Sequence, residues 1–134
     1  MALDFIRSIL GTEFDLTPHA SITQEAIDAF VASCGEPAPG PGAAPPTFVL
    51  SMRTKYILPR DMRDRLRAAF DAGKDIEFGA TVRVGDVLTS RSTVHDVYEK
   101  TGRSGTMAFM VLRTIVTNQR DEHVAVIDQK MMFR

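Results

Sequence analysis

The stretch that decides the fold runs from Thr106 to Arg134 and reads "TMAFMVLRTIVTNQRDEHVAVIDQKMMFR". Both of its halves are rich in valine, isoleucine and threonine or aromatic residues, which suit a pleated backbone. The polar segment "NQRDE" between them is typical of a tight turn. The stretch therefore predicts two long antiparallel strands. Few positions in the first half of the first strand are polar, so both of its faces are expected to be covered there.

Strand-like segments begin upstream of this hairpin, near Asp75. "KDIEFGATV" leads into the turn "RVGD", and "VLTSRSTVHDVYEK" is again rich in valine, threonine and tyrosine. "TGRSG" then provides a turn before the hairpin. The second half of the chain is therefore predicted to form an antiparallel sheet.

The first part of the chain has the periodicity of helices instead. "LDFIRSIL" places its apolar residues on one helical face and can end at Gly11. "SITQEAIDAFVASCG" has Thr23 as a cap and Gly35 as a terminator. Cys34 closes this second helix, and we expect it to be a small buried hydrophobe. A lone cysteine also excludes an intramolecular disulfide.

Two more helices are predicted before the strands. "TFVLSMRTKYIL", from Thr47 to Leu58, is apolar on most of its circumference, as expected of a helix enclosed by other structure. "RDMRDRLRAAFDAG" repeats apolar residues at helical spacing, with Asp61 as a candidate cap and Gly73 as the stop. A nearly all-apolar helix followed by long antiparallel strands indicates an α+β fold in which the sheet curls around that helix.

Length and composition limit the possible functions. The 134 residues, 44% hydrophobic and 25% charged, fit one compact domain over residues 1–134. A net charge of -1 gives no general attraction to nucleic acid or to an anionic membrane. Three scattered histidines and one cysteine are too few for a zinc site, so no metal is expected. The apolar runs are shorter than a membrane span and the start has no basic region before its apolar part, which predicts a cytoplasmic protein.

Three segments together resemble a known family. "APPTF", "VRVGDVLTSRSTVHDVYEKTGRSG" and "TIVTNQRDEHVAV" look like the N-terminal-type hot-dog domain of MaoC-like (R)-specific enoyl-CoA hydratases and dehydratases, over about Thr23 to Arg134. The resemblance implies a single hot-dog fold, in which a five-stranded antiparallel sheet wraps around a helix that begins near Thr47. It also implies edge-to-edge pairing with a second hot-dog domain, a CoA or acyl-carrier-protein thioester as substrate, and no cofactor.

The catalytic loop of the family is altered in this chain. Active members carry a Gly-Asp-x-Asn-Pro-x-His loop whose aspartate and histidine hold one water between them. In "GEPAPGPGAAPPTFVL", which starts at Gly35, Glu36 falls at the aspartate, Ala38 replaces the asparagine and Pro41 occupies the histidine position. Proline has no titratable group, so the base is absent. Glu36 alone could still orient water, but a lone loop glutamate is more often solvated, and no catalytic residue is assigned beyond this candidate.

Other histidines offer no obvious replacement. His95 and Asp96 are adjacent in a predicted strand, so their side chains are expected on opposite faces, where they cannot pair. His123 is expected to be exposed at a hairpin edge. The run "DLTPH", from Asp15 to His19, has suitable residue types at the wrong spacing and precedes the second helix. We interpret it as a strand or loop with a structural role.

Residues at the start of the central helix and a basic cluster that follows this start are the candidates for substrate binding. Arginines suit the phosphates of CoA, although a solvated helical face balanced by Asp61 and Asp64 explains the basic cluster as well. The candidate substrate-binding residues are Pro46, Thr47, Phe48, Arg53 and Arg60.

Three functions remain open from the sequence. The chain can be the catalytically silent subunit of a heteromeric enoyl-CoA hydratase or 3-hydroxyacyl-thioester dehydratase of fatty acid or steroid side-chain metabolism, with a second hot-dog subunit supplying the catalytic Asp and His. It can be a homodimeric enzyme that uses Glu36. It can also be a non-enzymatic acyl-CoA-binding module. Purified alone, the chain is expected to form a homodimer because an isolated sheet leaves unpaired edges.

Overall fold

The computed structural model describes residues 2–52 and 69–133. Within these residues, two helices, a short 3₁₀ helix and five strands follow one another. They are α1 (Ala2–Ser8), β1 (Glu13–Pro18), α2 (Gln24–Cys34), the 3₁₀ helix (Pro46–Ser51), β2 (Ala69–Phe78), β3 (Thr89–Gly102), β4 (Gly105–Thr117) and β5 (His123–Phe133).

The five strands form one antiparallel sheet in the order β1-β3-β4-β5-β2. The β3–β4 hairpin pairs from Thr89 with Thr117 to Gly102 with Gly105, and the β4–β5 hairpin follows from the turn at residues 118–122. Valine and threonine are frequent in β3 and β4, and they suit a pleated backbone. The predicted five-stranded antiparallel sheet is confirmed, and the first four residues of "DLTPH" lie in β1, one of its two edge strands.

Helix α2 has the predicted ends. The side chain of Thr23 accepts a hydrogen bond from the Ala26 backbone N–H at 3.1 Å. Gly35 adopts the left-handed conformation, with φ 73°, that ends many helices. The expectation that Cys34 is buried is wrong, because its side chain is exposed. The helix packs on the core through earlier residues, including Ile27 and Val31, and its last position lies past that contact.

The segment before the sheet differs from the sequence prediction at one end. The prediction of a helix that stops at Gly73 is wrong for residues 69–73. These residues belong to β2, which begins at Ala69 and pairs with β5. A bulge lies between Asp71 and Gly73, where the glycine has φ 115°. Backbone pairing with β5 overrides the helical spacing of the apolar residues here. The rest of that predicted helix lies outside the described residues.

The central helix begins where the sequence placed it. Residues 46–51 form a 3₁₀ helix, and Phe48 and Val49 are buried. The ring of Phe48 packs edge-on against Phe30 of α2, with ring centroids 5.5 Å apart. The remainder of the predicted helix, to Leu58, lies outside the described residues. The 3₁₀ helix therefore joins α2 and one face of the sheet in a common core.

Among the described residues, buried apolar side chains form two clusters. One surrounds the 3₁₀ helix and includes Leu88 and Val116 from the sheet. The other packs Ile6 of α1 against strand residues such as Met110 and Leu112. Burial of such side chains contributes about 1.5–3 kcal/mol each to folding. Within residues 2–52 and 69–133, no helix is long and apolar enough to cross a membrane.

Candidate functional site

The loop from Gly35 to Pro45 connects α2 to the 3₁₀ helix and lies against the segment that follows β2. Ala43 forms an isolated antiparallel bridge with Arg83. On either side of it, the Ala44 N–H donates to the Val82 carbonyl at 2.8 Å, and the Val84 N–H donates to the Gly42 carbonyl at 2.9 Å. The proline-rich loop is therefore held by a short backbone ladder rather than left free in solvent.

Glu36 closes this loop through its side chain. The hydroxyl of Thr47 donates a hydrogen bond to Oε2 of Glu36, and the two residues stand at opposite ends of the loop. Glu36 is half-buried. The structure thus brings together one candidate catalytic residue and one candidate substrate-binding residue, and it uses the carboxylate as an acceptor for a neighbouring side chain.

None of the three histidines of the sequence lies on this loop. Pro41, at the family's histidine position, is exposed. His123 is exposed at the start of β5, as expected. His95 and Asp96 sit at a bulge in β3, so the strict alternation assumed from the sequence does not hold, and both are exposed. Asp96 accepts from the Val97 backbone N–H at 2.8 Å.

His19 directly follows the edge strand β1 and is half-buried. Its Nε2 lies 2.7 Å from Oγ of Ser90, which is fully buried. Partial burial lowers the pKa of His19, and the nearby Asp15 carboxylate opposes that shift. Asp15 itself accepts from the Thr17 hydroxyl at 2.7 Å, and its other oxygen is buried and has no hydrogen-bond partner among the described residues. The His19–Ser90 contact joins residues 71 positions apart, so no local sequence signal could have found it.

A small apolar pocket lies beside the loop and encloses about 60 Å³. This volume holds a few waters or a short alkyl group, not a long chain. Gly79 in its wall is required by close packing, because a Cβ there would come within 2.2 Å of the His123 carbonyl oxygen. The pocket is lined by Pro39, Ala44, Pro46, Val49, Phe78, Gly79, Ala80, Thr81, Val82 and Val124.

The predicted substrate-binding residues fall into different environments. Pro46 lines the pocket, and Thr47 binds Glu36. Phe48 lies in the core with 5% of its surface exposed. Arg53 and Arg60 lie outside the described residues. The contribution of residues 78–82 was missed, because nothing in "FGATV" marks a pocket wall before the sheet is assembled. In the part of the chain that the structure describes, no group of three or more His, Cys, Asp or Glu side chains could hold a metal ion.

Several solved structures have the same fold. The ChsH1-ChsH2 complex from Mycobacterium tuberculosis matches with a TM-score of 0.75 and 16% identity, covering 98% of this chain and 88% of that chain. The MaoC-like dehydratase from Rhodospirillum rubrum matches with a TM-score of 0.64 and 20% identity, covering 92% and 91%. The C-terminally truncated HadBC (3R-hydroxyacyl-ACP dehydratase) complex from M. tuberculosis matches with a TM-score of 0.63 and 23% identity, covering 92% and 96%.

Sequence comparison identifies the family. No protein of curated function matches the chain significantly. The family model described as "FAS1-like, dehydratase domain region" matches residues 8–127, which is most of the chain. This range includes the altered loop, the pocket and almost all of the sheet. The chain therefore belongs to the FAS1-like dehydratase domain region family and has the hot-dog fold of MaoC-like dehydratases.

Proposed function

We propose that this chain, acting as one hot-dog domain over residues 1–134, is the non-catalytic subunit of a heteromeric enoyl-CoA hydratase or 3-hydroxyacyl-thioester dehydratase. A second hot-dog subunit supplies the catalytic aspartate and histidine. One observation carries the proposal: at the family's catalytic loop, Pro41 stands at the histidine position and the Glu36 carboxylate is bound by Thr47.

The chemistry of the reaction explains why this observation matters. Hydration of a trans-2-enoyl thioester needs a base for the attacking water, a proton for the alpha carbon and a donor to the thioester oxygen. Proline can neither take nor give a proton. Glu36 accepts from the Thr47 hydroxyl, which is a scaffold contact across the base of the loop. An aspartate–histidine pair that holds water must therefore come from another chain.

The chain's own contribution is a binding surface and an edge for assembly. The apolar pocket beside the loop suits a short alkyl part of an acyl group. Strand β2 is an edge of the sheet, and Phe70 on it is 50% exposed. Unpaired backbone groups on such an edge favour pairing with another strand. Two of the similar structures are complexes of two named chains, which supports a heteromeric assembly.

The substrate of the proposed complex is an acyl-CoA or acyl-carrier-protein thioester of fatty acid or steroid side-chain metabolism, handled in the cytoplasm. Arg53 and Arg60 are proposed to contact the phosphates of CoA, and Pro46 and Thr47 the region near the thioester. Without its partner, the chain is proposed to pair with a second copy. Sedimentation at micromolar concentration should show a dimer, and a stable monomer would contradict pairing through a sheet edge.

Activity measurements test the proposal directly. The purified chain should hydrate crotonyl-CoA no faster than a blank, whereas its complex with a co-expressed hot-dog subunit bearing the Asp/His loop should be active. General acid–base catalysis by one group is typically worth about 100- to 10,000-fold, so the difference should be plain in an absorbance assay. The matched control is the same complex with the partner's catalytic histidine replaced by alanine, which should be inactive.

The same assay separates the other two functions. Activity of the purified chain that is lost in Glu36→Gln would identify a homodimeric enzyme and overturn the proposal. Binding of acyl-CoA by the chain, with no activity in any complex, would identify a non-enzymatic module.

A further inference from the structure

Asp86 is a buried carboxylate that the proposed chemistry does not use. It lies in the turn between β2 and β3 and is 4% exposed. Its Oδ2 accepts from the Arg83 backbone N–H at 2.8 Å, and its Oδ1 accepts from Nε2 of Gln119 at 2.9 Å. A buried carboxylate is costly unless it is hydrogen-bonded, and here both oxygens have donors.

Three distant segments of the chain meet at this turn. The Ile22 N–H, just before α2, donates to the Asp86 carbonyl at 2.9 Å, and the Gly85 N–H donates to the Ile22 carbonyl at 2.8 Å. The turn between β4 and β5 contributes Gln119, whose Oε1 also accepts from the Val87 N–H at 3.0 Å. Arg120 of the same turn places Nη2 3.9 Å from Oδ1 of Asp86.

The third segment is the loop from Gly35 to Pro45, called the pocket-lining loop because its residues Pro39 and Ala44 line the pocket. The Arg83 N–H that Asp86 binds belongs to the residue that bridges to Ala43. The flanking residues Val82 and Val84 make the two backbone hydrogen bonds that hold the loop, at 2.8 and 2.9 Å. A change in the orientation of the Arg83 peptide therefore moves the segment on which the loop rests. Ala44 and Val82, one on each side of this ladder, both line the pocket.

We propose that Asp86 is a positioning residue, which fixes the pocket-lining loop by linking the Arg83 backbone to the β4–β5 turn. This coupling between Asp86 and the loop can be tested without enzymatic activity. Its effect on substrate binding rests on the proposed function. Asp86 is not among the residues that line the pocket. It acts through the backbone of residues 82–84.

Asp86→Asn is the sharpest test because it keeps the shape of the side chain. An amide has one acceptor oxygen, so it cannot accept from both Arg83 and Gln119. The Gln119 amide cannot reverse without losing the bond from Val87. One of the two donors, the Arg83 N–H or the Gln119 amide, is therefore left without its acceptor on residue 86. The matched control is Asp128→Asn, which also removes a carboxylate that accepts two bonds, both from Arg113 at 2.8 Å, but in strands remote from the loop ladder.

Amide hydrogen exchange on the purified chain measures the coupling. In Asp86→Asn, the amides of Ala44 and Val84 should exchange on the order of 10-fold faster, the effect of losing a charged hydrogen bond. The Gly35 amide, which donates to Val31 at the end of α2, should keep its protection. Asp128→Asn should leave Ala44 and Val84 unchanged. Equal acceleration in the two variants, or none in Asp86→Asn, would overturn the proposal.

Gln119→Ala provides a second variant if Asp86→Asn fails to fold, since Gln119 is exposed and its loss removes its hydrogen bonds to Asp86 and to the Val87 N–H while leaving the Asp86–Arg83 bond in place. Faster exchange at Ala44 and Val84 is expected again, to a smaller extent, and unchanged exchange contradicts the coupling.

Steady-state kinetics of the active complex then test whether Asp86 affects substrate binding. Asp86→Asn should raise the KM for crotonyl-CoA about 10-fold with kcat within about twofold, because positioning of a binding surface changes affinity and leaves the partner's catalytic groups intact. Asp128→Asn should leave both constants unchanged. An unaltered KM in Asp86→Asn would overturn the positioning role. A wild-type complex without activity would instead refute the proposed function, while the exchange result would still decide the coupling.

Discussion

The β4–β5 hairpin and the loop from Gly35 to Pro45 are held in place in different ways. The hairpin is paired along almost its whole length, from Ala108 with Phe133 to Thr117 with His123. The loop depends on one isolated bridge, made by two backbone hydrogen bonds, and on the contact between Glu36 and Thr47. Many equivalent hydrogen bonds tolerate the loss of one, whereas each anchor of the loop is separate. Stability therefore resides in the sheet, and the adjustable part of the candidate site resides in the loop.

The largest loss of unfolding free energy is expected at Gly79, which lies beside the sheet in the pocket wall. Gly79→Ala would place a methyl group 2.2 Å from the His123 carbonyl oxygen, and the backbone cannot yield without breaking the pairing of Gly79 and Ala80 with Val124 and His123. We expect a loss of at least about 3 kcal/mol of unfolding free energy in urea denaturation. Gly40→Ala in the loop is the control, because nothing lies within 4 Å of its added Cβ.

Gly40→Ala should change the unfolding free energy by less than about 1 kcal/mol. Similar losses of unfolding free energy in Gly79→Ala and Gly40→Ala would mean that the loop is as constrained as the sheet. That result would contradict the proposed difference between the two regions.

A smaller effect is expected at the loop's side-chain contact. Glu36→Gln keeps an acceptor for Thr47 but removes the charge, so unfolding free energy should fall by about 1 kcal/mol. Turnover of the active complex should stay nearly unchanged, because the carboxylate serves as scaffold. Thr47→Val removes the donor and keeps the shape. The double variant should cost less than the sum of the two single variants. A large loss of turnover in Glu36→Gln would give the carboxylate a chemical role.

A weaker, pH-dependent effect on the unfolding free energy is expected at His19, which follows the edge strand β1. The pKa of His19 is lowered, chiefly by burial, so the unfolded chain binds a proton more readily than the folded one. Its contribution to stability is fully present above the unfolded pKa, near 6.5, and declines as the pH falls toward the folded pKa. The difference in unfolding free energy between the wild type and His19→Gln should shrink over that interval.

The sequence predicted the sheet better than the site. Strand composition and the turn "NQRDE" suffice for β4 and β5, because long β-favouring runs have few alternatives. Thr23 and Gly35 marked the ends of α2 through local hydrogen bonds that depend on near neighbours. The start of β2 at Ala69 was missed because pairing with Phe133 depends on the other end of the chain. The resemblance to a family located the loop, but the anchors at Arg83 and the wall at Gly79 exist only after the sheet has assembled.

The smallest effect is expected from restoring the family's histidine alone. Pro41→His places a titratable ring at the family position, yet Ala38 still stands where the family has asparagine. Four prolines, Pro37, Pro39, Pro45 and Pro46, keep the backbone of the loop and its exit restricted. Thr47 also keeps Glu36 engaged, so the ring and the carboxylate are not arranged to hold a water between them, which acid–base catalysis requires to within about 0.5 Å. The purified variant should therefore hydrate crotonyl-CoA at the rate of a blank, in an assay where the two-subunit complex serves as the positive control. Measurable turnover would show that the loop needs only its missing base, and that its scaffold has kept the geometry of an active site.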